Sequence, residues 1–593
     1  MTSWYVDSSA AGANNGTSLE DAWQTFSAIN QASLSAGDVV YIYPGTTGYM
    51  TDYTLSKGGT SQGARIIYKG VNMPTIRGEI DGGNINNVAV IGCHLTQFSG
   101  NGIVQNISQV IRLANSTGWL IQDNNISGTW GGGVNGAFNT NNRNNIIRSN
   151  IFDNICLLSG GQSNAATLQL FGHYNLVEYN SFYSGLDRTR AFGTGNIIRN
   201  NYFGASNTLL YPYSTQYPHH TDSFQSFENA VYRLERLMYE KNFDMDNLGP
   251  EAHGVVIQDN DGIGMNWAIT RFNILARTSG PAYIFRGFDR LYGYNLTSVG
   301  VQTGNNNTDA SCVTYDATPV GDLQDWRNNT WSFCQRTVDG TIFADVPARI
   351  TNFTGLYQHR YQAGPLPVDS TNLANVDPQF VSLASDNLAL DAGSPLIGAG
   401  GPLTLANGNG TDSTTLIVDD AYKFSDGWGI ADPDIIKVGA GAFVTISSIN
   451  YPTNTITLAE ARSWSDNDPV IVKGMEDVGA LPSSYIGNLN VTNTTSLSLP
   501  AGAASLTATV PNTDTVRMVE FFVDGIPVGM NYTSPYSVSW TSDGAQHTIE
   551  ARAYNMWASQ TLWVSEEITV NGPASIKRNK RLGRNPKIKG LAF

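Results

Sequence analysis

"NIIRSNIF" (145–152), "NLVEYNSF" (175–182) and "NIIRNNYF" (196–203) are variants of one short phrase. Each opens on Asn, alternates apolar and polar residues, and sets a second Asn just before an apolar or aromatic pair. The phrase recurs on both sides as "LIQDNNI" (120–126), "RLMYEKNF" (236–243), "AITRFNIL" (268–275), "RLYGYNL" (290–296) and "DWRNNTW" (325–331). Reading the terminal asparagines as Asn125, Asn150, Asn180, Asn201, Asn242, Asn273, Asn295 and Asn329 gives steps of 25, 30, 21, 41, 31, 22 and 34 residues. One strand per repeat at such a period describes a β-solenoid. A single coil cannot bury its apolar face, but stacked coils share one continuous core. Coils stack about 4.8 Å apart, so like residues form ladders. An Asn at the corner bonds to its copy in the next coil and tolerates left-handed backbone. These asparagines are therefore read as structural. The long step holds either two short coils or one coil with a long loop.

Composition agrees with this architecture. The chain has 593 residues, too many for one compact core, and should divide into two to four units. Charged residues make up 14% and aromatic residues 10%, a mix that fits a turn-rich all-β protein. The formal net charge of −15 argues against a general nucleic-acid binder, which needs clustered Lys and Arg. No run of 18 apolar residues exists, so a membrane-spanning helix is excluded. Cys93, Cys156, Cys312 and Cys334 show no C-x-x-C spacing. They read as free thiols, although Cys312 and Cys334 are one coil apart and can stack. The opening "MTSWYVDSSAAG" lacks a secretory leader's basic and apolar regions. Either a leader has been removed or the protein leaves its cell by another route, as phage structural proteins do on lysis.

The repeat resembles the right-handed parallel β-helix (pectate-lyase-like) superfamily of polysaccharide-active proteins and phage tailspikes. "WYVDSSAAGANNGTSLEDAWQTFSAINQASLSAGDVVYIYPG" (4–45) is similar to the start of such proteins, with a helix over about 19–34 capping the solenoid. "LDAGSPLIGAG" (390–400) and "EDVGALP" (476–482) resemble the family's closing coil. Between them, short β-runs with tight turns predict a small barrel or sandwich inserted near the solenoid end. "VRMVEFFVDGIPVGMNYTSPYSVSWTSDGAQHTIEARAYN" (516–555) resembles a bacterial immunoglobulin-like domain of seven strands. The expected division is 1–401 β-helix with a capping helix, 402–482 small β-module and closing coil, 483–572 Ig-like sandwich, and 573–593 basic tail. That tail, "PASIKRNKRLGRNPKIKGLAF", reads as a docking arm for an acidic partner such as a virion tail protein, or as a solvated tail.

Aligning the coils on their asparagines brings a second set of strands together. "AATLQLFG" (165–172), "RTRAFGTG" (188–195), "HTDSFQSFE" (220–228), "AHGVVIQDND" (252–261) and "AYIFRGFD" (282–289) fall on one face. His173, His219, His220 and His253, four of the chain's seven histidines, lie in these coils, with Asp187, Asp222, Asp244, Asp246, Asp259 and Asp261 nearby. Carboxylates one or two coils apart bracket both retaining and inverting glycosidase distances, and their repulsion separates an acid from a base. A β-elimination lyase instead needs a base with an Arg or cation for the substrate carboxylate. The candidate catalytic residues are Asp222, His220, His253, Arg190 and Asp187. Tyr211, Tyr213 and Tyr217, with Arg188 and Arg286, are candidate substrate contacts, the tyrosines by stacking on sugar rings. Period-two alternation puts Asp222 on the side of the inward Phe224, so Asp222 belongs at a strand start or bend.

"HTD" (220–222) and "AHG" (252–254) are similar to motifs of polygalacturonases, but the R-I-K element and a "DD" pair are absent. "HTDSFQ" also matches an H-[ST]-D-x-[FI]-Q strand of β-helix proteins to which it assigns no reaction. The bland reading of this stretch is a hydrogen-bonded turn. No third metal ligand is fixed by spacing, so no metal site is assigned and calcium is the one ion left open. The resemblance implies a tailspike or tail-fibre protein that binds and cleaves a cell-surface polysaccharide, acting as a homotrimer on a virion or extracellularly. One departure is that the solenoid begins almost at Met1, where tailspikes carry an attachment domain. The alternatives are a secreted bacterial polysaccharide lyase or glycoside hydrolase, and a non-enzymatic virion protein or adhesin.

Overall fold

A computed structural model describes residues 2–45, 48–50, 52–99, 102–103, 109–129, 131–136, 141–153, 155, 166–183, 185, 187–204, 221–228, 234–247, 252–259, 265–285, 288–300, 313–315, 323–332, 352–356, 359–361, 369–374, 376–485, 489–511, 513–557, 564–572 and 576–579. The chain is all-β, and among the described residues the only helical segments are short 3-10 turns. Contacts divide it into two units: Met1–Gln379 with Gly393–Ala480, and Phe380–Ala392 with Leu481–Phe593.

The first unit is built on a parallel β-helix. One sheet of 13 strands runs from Ser3–Val6 to Asn352–Leu356, and a second of 13 from Tyr49–Met50 to Leu373–Ala374. A third, of 11 strands, runs from Tyr53–Thr54 to Val313–Tyr315, with Asn142–Arg143 paired off that path to Ala166–His173. Each coil contributes one strand to each sheet in turn through the middle of the stack. In the first sheet Ile121, Ile147, Val177, Ile198 and Tyr239 align from coil to coil and are buried. In the second, the rings of Phe152, Phe182 and Phe203 stack at 4.7 and 5.0 Å. The next position in that apolar column is Asp244, followed by Leu275. The long step between Asn201 and Asn242 is a single coil, because Tyr202 pairs directly with Phe243.

The corner ladder is present, displaced by one residue at its first rung. Asn124, not Asn125, donates its amide to Asn150, and the chain of Nδ2–Oδ1 bonds continues through Asn180, Asn201, Asn242 and Asn273 at 3.0–3.2 Å. A second ladder joins Asn145, Asn175 and Asn196 at 3.0 Å. The left-handed residue is the one preceding each rung: Asp123, Ser149, Tyr179, Asn200, Lys241 and Phe272 all have φ between 52° and 57°. Side chains with a Cβ cost roughly 1–2 kcal/mol there, and two buried amide bonds per rung offset it. Asn295 also sits in this left-handed position, at φ 52°. Its amide leaves the ladder and donates to the carbonyls of Asp477 and Gly479.

The expected capping helix over 19–34 does not form. Trp23 makes a parallel bridge to Val6 and stacks on Trp4 at 5.2 Å, and two 3-10 turns follow at Phe26–Ala28 and Gln31–Ser33. Buried Trp23, Phe26 and Ile29 recur every three residues, a spacing 3-10 turns satisfy as well as a helix. Between them Thr25 and Ser27 are weak helix formers.

The segment between the closing motifs is a six-stranded antiparallel sheet, ordered Thr404–Leu405, Pro469–Val472, Ile435–Val438, Val444–Asn450, Thr455–Trp464 and Gly410–Ile417. An antiparallel bridge from Ala406 to Val418 closes it into a small barrel. This segment counts with the solenoid in one unit, where the sequence had suggested a separate module. The reason is a buried charge ladder. Arg148, Glu178, Arg199, Glu240 and Arg271 occupy one register position of the first sheet in five successive coils. Asp432 pairs with Arg199 at 2.7 Å, and Asp434 holds Arg271 through both oxygens at 2.6 and 2.9 Å. The closing motifs pair with each other, Gly400 N donating to Glu476 O and Val478 N to Leu396 O.

The second unit is an Ig-like sandwich of a three-stranded and a five-stranded sheet. Its last strand, Ile576–Asn579, falls within the stretch read as basic tail. It pairs antiparallel with Val564–Val570 as the edge of the five-stranded sheet. Residues 580–593, like Cys312 and Cys334, lie outside the described residues.

Candidate catalytic site

In the third sheet Thr189 pairs with Phe224 and Phe224 with Val255. Two residues upstream on each coil stand Asp187, Asp222 and His253, so these three share one register position in successive coils. Backbone bonds hold that alignment: Arg188 N donates to Asp222 O at 2.9 Å and Ser223 N to His253 O at 3.2 Å. Asp222 precedes the strand Phe224–Glu228, as the alternation argument requires, and is buried.

The three residues are joined. His253 Nδ1 lies 2.8 Å from Asp222 Oδ1. The Asp222 backbone N–H donates to Asp187 Oδ1 at 3.1 Å, and Asp187 Oδ2 is ion-paired with Arg190. The other Asp222 oxygen, Oδ2, is buried with no hydrogen-bond partner among the described residues. The aspartate side chains are 1–2% exposed and that of His253 is 13% exposed, so the imidazole is the most accessible member.

Arg188 does not suit the substrate contact expected of it. Its guanidinium is fully buried and donates to Ser223 Oγ, Asp244 Oδ1 and Asn247 Oδ1 at 3.1, 3.3 and 3.2 Å. These three acceptors hold Arg188 away from solvent. His219, His220, Tyr211, Tyr213, Tyr217, Arg286 and Asp261 lie outside the described residues, as does the side chain of Asp259. Asp246 pairs with Arg277. His173 accepts from the Thr194 N–H at 2.9 Å and serves a turn. Among the described residues no group of three or more His, Cys, Asp or Glu side chains is placed to hold a metal ion.

By sequence Asp244 was one of several nearby aspartates with no role of its own, and Asn247 was not singled out. Burial raises the Asp244 carboxyl to about 6, against the opposing pull of Arg188; burial likewise lowers Arg188. The signal was available: "NFDMDN" (242–247) puts an acid where three preceding coils place Phe.

Residues 490–551 match the family model described as Bacterial Ig domain. No curated protein matches the chain. Among solved structures, XylC in complex with xylose is 10% identical, covers 79% of this chain and 100% of that chain, and has a TM-score of 0.44. An alginate lyase from Paenibacillus sp. is 13% identical over 51% of this chain and 95% of its own, with a TM-score of 0.30. The Dettilon tailspike protein is 11% identical over 81% of this chain and 92% of its own, also with a TM-score of 0.30. By its own sheets, the chain is a parallel β-helix protein. It carries a small β-barrel and a C-terminal Ig-like domain. No helix among the described residues is long and apolar enough to cross a membrane.

Proposed function

We propose that this protein is a tailspike-type glycan depolymerase that binds a cell-surface polysaccharide and cleaves it at the Asp187–Asp222–His253 stack. The hydrogen bond between Asp222 and His253 Nδ1 carries the reading. A carboxylate on Nδ1 fixes the imidazole's orientation and leaves Nε2 as the proton-transferring atom. Asp187, one coil below, supplies a second carboxylate at coil spacing. Such an array suits hydrolysis, in which one group protonates the leaving oxygen and another supports the attack. Elimination would need a cation to spare for a substrate carboxylate, whereas Arg188 and Arg190 are both engaged by aspartates. A homotrimer on a virion tail, docked through the basic C-terminal residues, completes this reading.

A second reading, a secreted bacterial hydrolase with an Ig-like spacer, is favoured by the match of residues 490–551. A binding-only role, as virion protein or adhesin, is favoured by the burial of both aspartates.

Digestion of a panel of capsular and cell-wall polysaccharides tests the proposal, following reducing ends and the ultraviolet absorbance of unsaturated ends. Reducing ends without absorbance are expected, with at least a ~100-fold loss in Asp222→Asn. Absence of product from every glycan, or unchanged turnover in Asp222→Asn, defeats it.

A further inference from the structure

Asn247 touches all three coils that build the stack. It follows the strand Phe243–Met245 and is fully buried. Its Nδ2 donates to the Thr221 carbonyl, the peptide immediately before Asp222, and to the His253 carbonyl at 2.9 Å. Its Oδ1 accepts from Arg188 Nη2 at 3.2 Å, and Arg188 neighbours Asp187 in the chain. The Asn247 backbone carbonyl accepts from Ser279 N at 3.0 Å, which ties the same corner to the coil above. Arg188 is in turn held by Asp244, from within the apolar column of the second sheet.

We infer that Asn247 is a positioning residue, and that its amide sets the reach between Asp222 and His253 from inside the solenoid. Backbone bonds from Ser223 N to His253 O and from Phe224 N to Gly254 O align this corner, but Thr221–Ser223 and Ala252–Gly254 lie outside the regular strands. A side-chain amide with two carbonyl acceptors fixes both peptides relative to one another. Its oxygen, loaded by a guanidinium, polarises the amide and strengthens both donations. Asp244 supplies the counter-charge that keeps Arg188 aimed at this corner. The buried acid in the apolar column thus has a task that a Phe, present in the three coils before it, could not perform. The alanine side chain can neither donate nor accept, so the two carbonyls lose their common donor in Asn247→Ala. In Asn247→Asp the contact to Arg188 survives, but both carbonyls face a carboxylate.

The inference rests on the stack proposed above as the functional site, yet its test does not use turnover. The imidazole of His253 is followed by NMR in the full-length protein with isotope-labelled histidine, and its titration midpoint is read. Asp222 bonds the imidazole directly, and Asp187, Arg188, Arg190 and Asp244 are the charged groups of the network behind it. Asp222→Asn defines the midpoint of an uncoupled imidazole, lower by about one pH unit or more. Asn247→Ala is expected to move the midpoint most of the way to that value while cooperative unfolding is retained. Should Asn247→Ala not fold, Asn247→Asp, which keeps the Arg188 contact, carries the same measurement. A midpoint that stays at the wild-type value in the Asn247 variant, or that fails to move in Asp222→Asn, overturns the inference. A protein inactive on every glycan that still shows the expected shift refutes the depolymerase reading alone.

Discussion

Arg271 and Asp434 are 163 residues apart in sequence and form a two-pronged ion pair, Nη2 to Oδ1 at 2.6 Å and Nη1 to Oδ2 at 2.9 Å. Both side chains are under a tenth exposed. The pair is the outermost rung of the charge ladder and joins the small barrel to the solenoid wall. A buried cation left with one partner fewer is expensive. Asp434→Ala should therefore lower the stability of this unit by roughly 3 kcal/mol, read as a fall in the urea midpoint at unchanged slope. A shift below a few tenths of a kcal/mol would mean that the barrel adds nothing to the wall.

The amide ladder invites a different substitution. Asn180 donates to Asn201 and to the Ile147 carbonyl, and its oxygen receives the backbone and side-chain N–H groups of Asn150. Asn180→Ala leaves the Asn150 N–H groups without this acceptor and takes a donor from Asn201 Oδ1 and the Ile147 carbonyl, a loss of about 1–3 kcal/mol. Calorimetry should show a lower unfolding temperature, and Asn125→Ala, outside the ladder, should show almost none.

His547 in the Ig-like unit sits between two carboxylates, with Nδ1 at 2.7 Å from Asp524 and Nε2 at 2.9 Å from Asp543. Burial lowers its pKa, but the hydrogen bonds and charges of Asp524 and Asp543 outweigh it and the net shift is upward. A raised folded pKa gives stability that is complete below the unfolded value near ~6.5 and fades as pH rises through the folded value. The Ig-like unfolding transition should thus fall in temperature from slightly acid to alkaline pH, and His547→Gln should flatten that slope. An equal slope in both proteins contradicts the assignment.

Asp244 works in the opposite sense. Its carboxyl is raised to about 6 by burial, so the folded state holds its proton more tightly than the unfolded chain does. The contribution of this group therefore declines as pH rises from about 4, the unfolded value, to about 6 and is constant above that. Asp244→Asn should remove this step from the stability–pH curve of the first unit, whatever its effect at a single pH.

The corner asparagines made the solenoid readable because a side chain that bonds its own copy must recur at every coil. The same pattern misplaced the first rung, since "DNN" offers two adjacent amides and only backbone direction selects Asn124. The face bearing Asp187, Asp222 and His253 was legible once coils were aligned, because register carries side chains into columns. What escaped was whatever broke the column rule. Asp244 occupies an apolar position, and the Arg–Glu–Arg–Glu–Arg alternation at 148, 178, 199, 240 and 271 looks like ordinary surface charge, yet all five are buried. The N-terminal turns failed for another reason: a three-residue spacing does not separate a helix from successive 3-10 turns.

The two amide ladders have a consequence for how such a molecule changes over time. They hold the turns on either side of the first sheet, so differences in coil length fall elsewhere. Between the second and third sheets, one coil spends residues 183–186 and the next spends 204–223, yet Tyr202 and Phe243 remain in register. The wall behaves as a ruler of constant pitch with interchangeable teeth on one edge. Teeth can be lengthened, shortened or exchanged without re-cutting the ruler, so one edge can drift while the scaffold stays put.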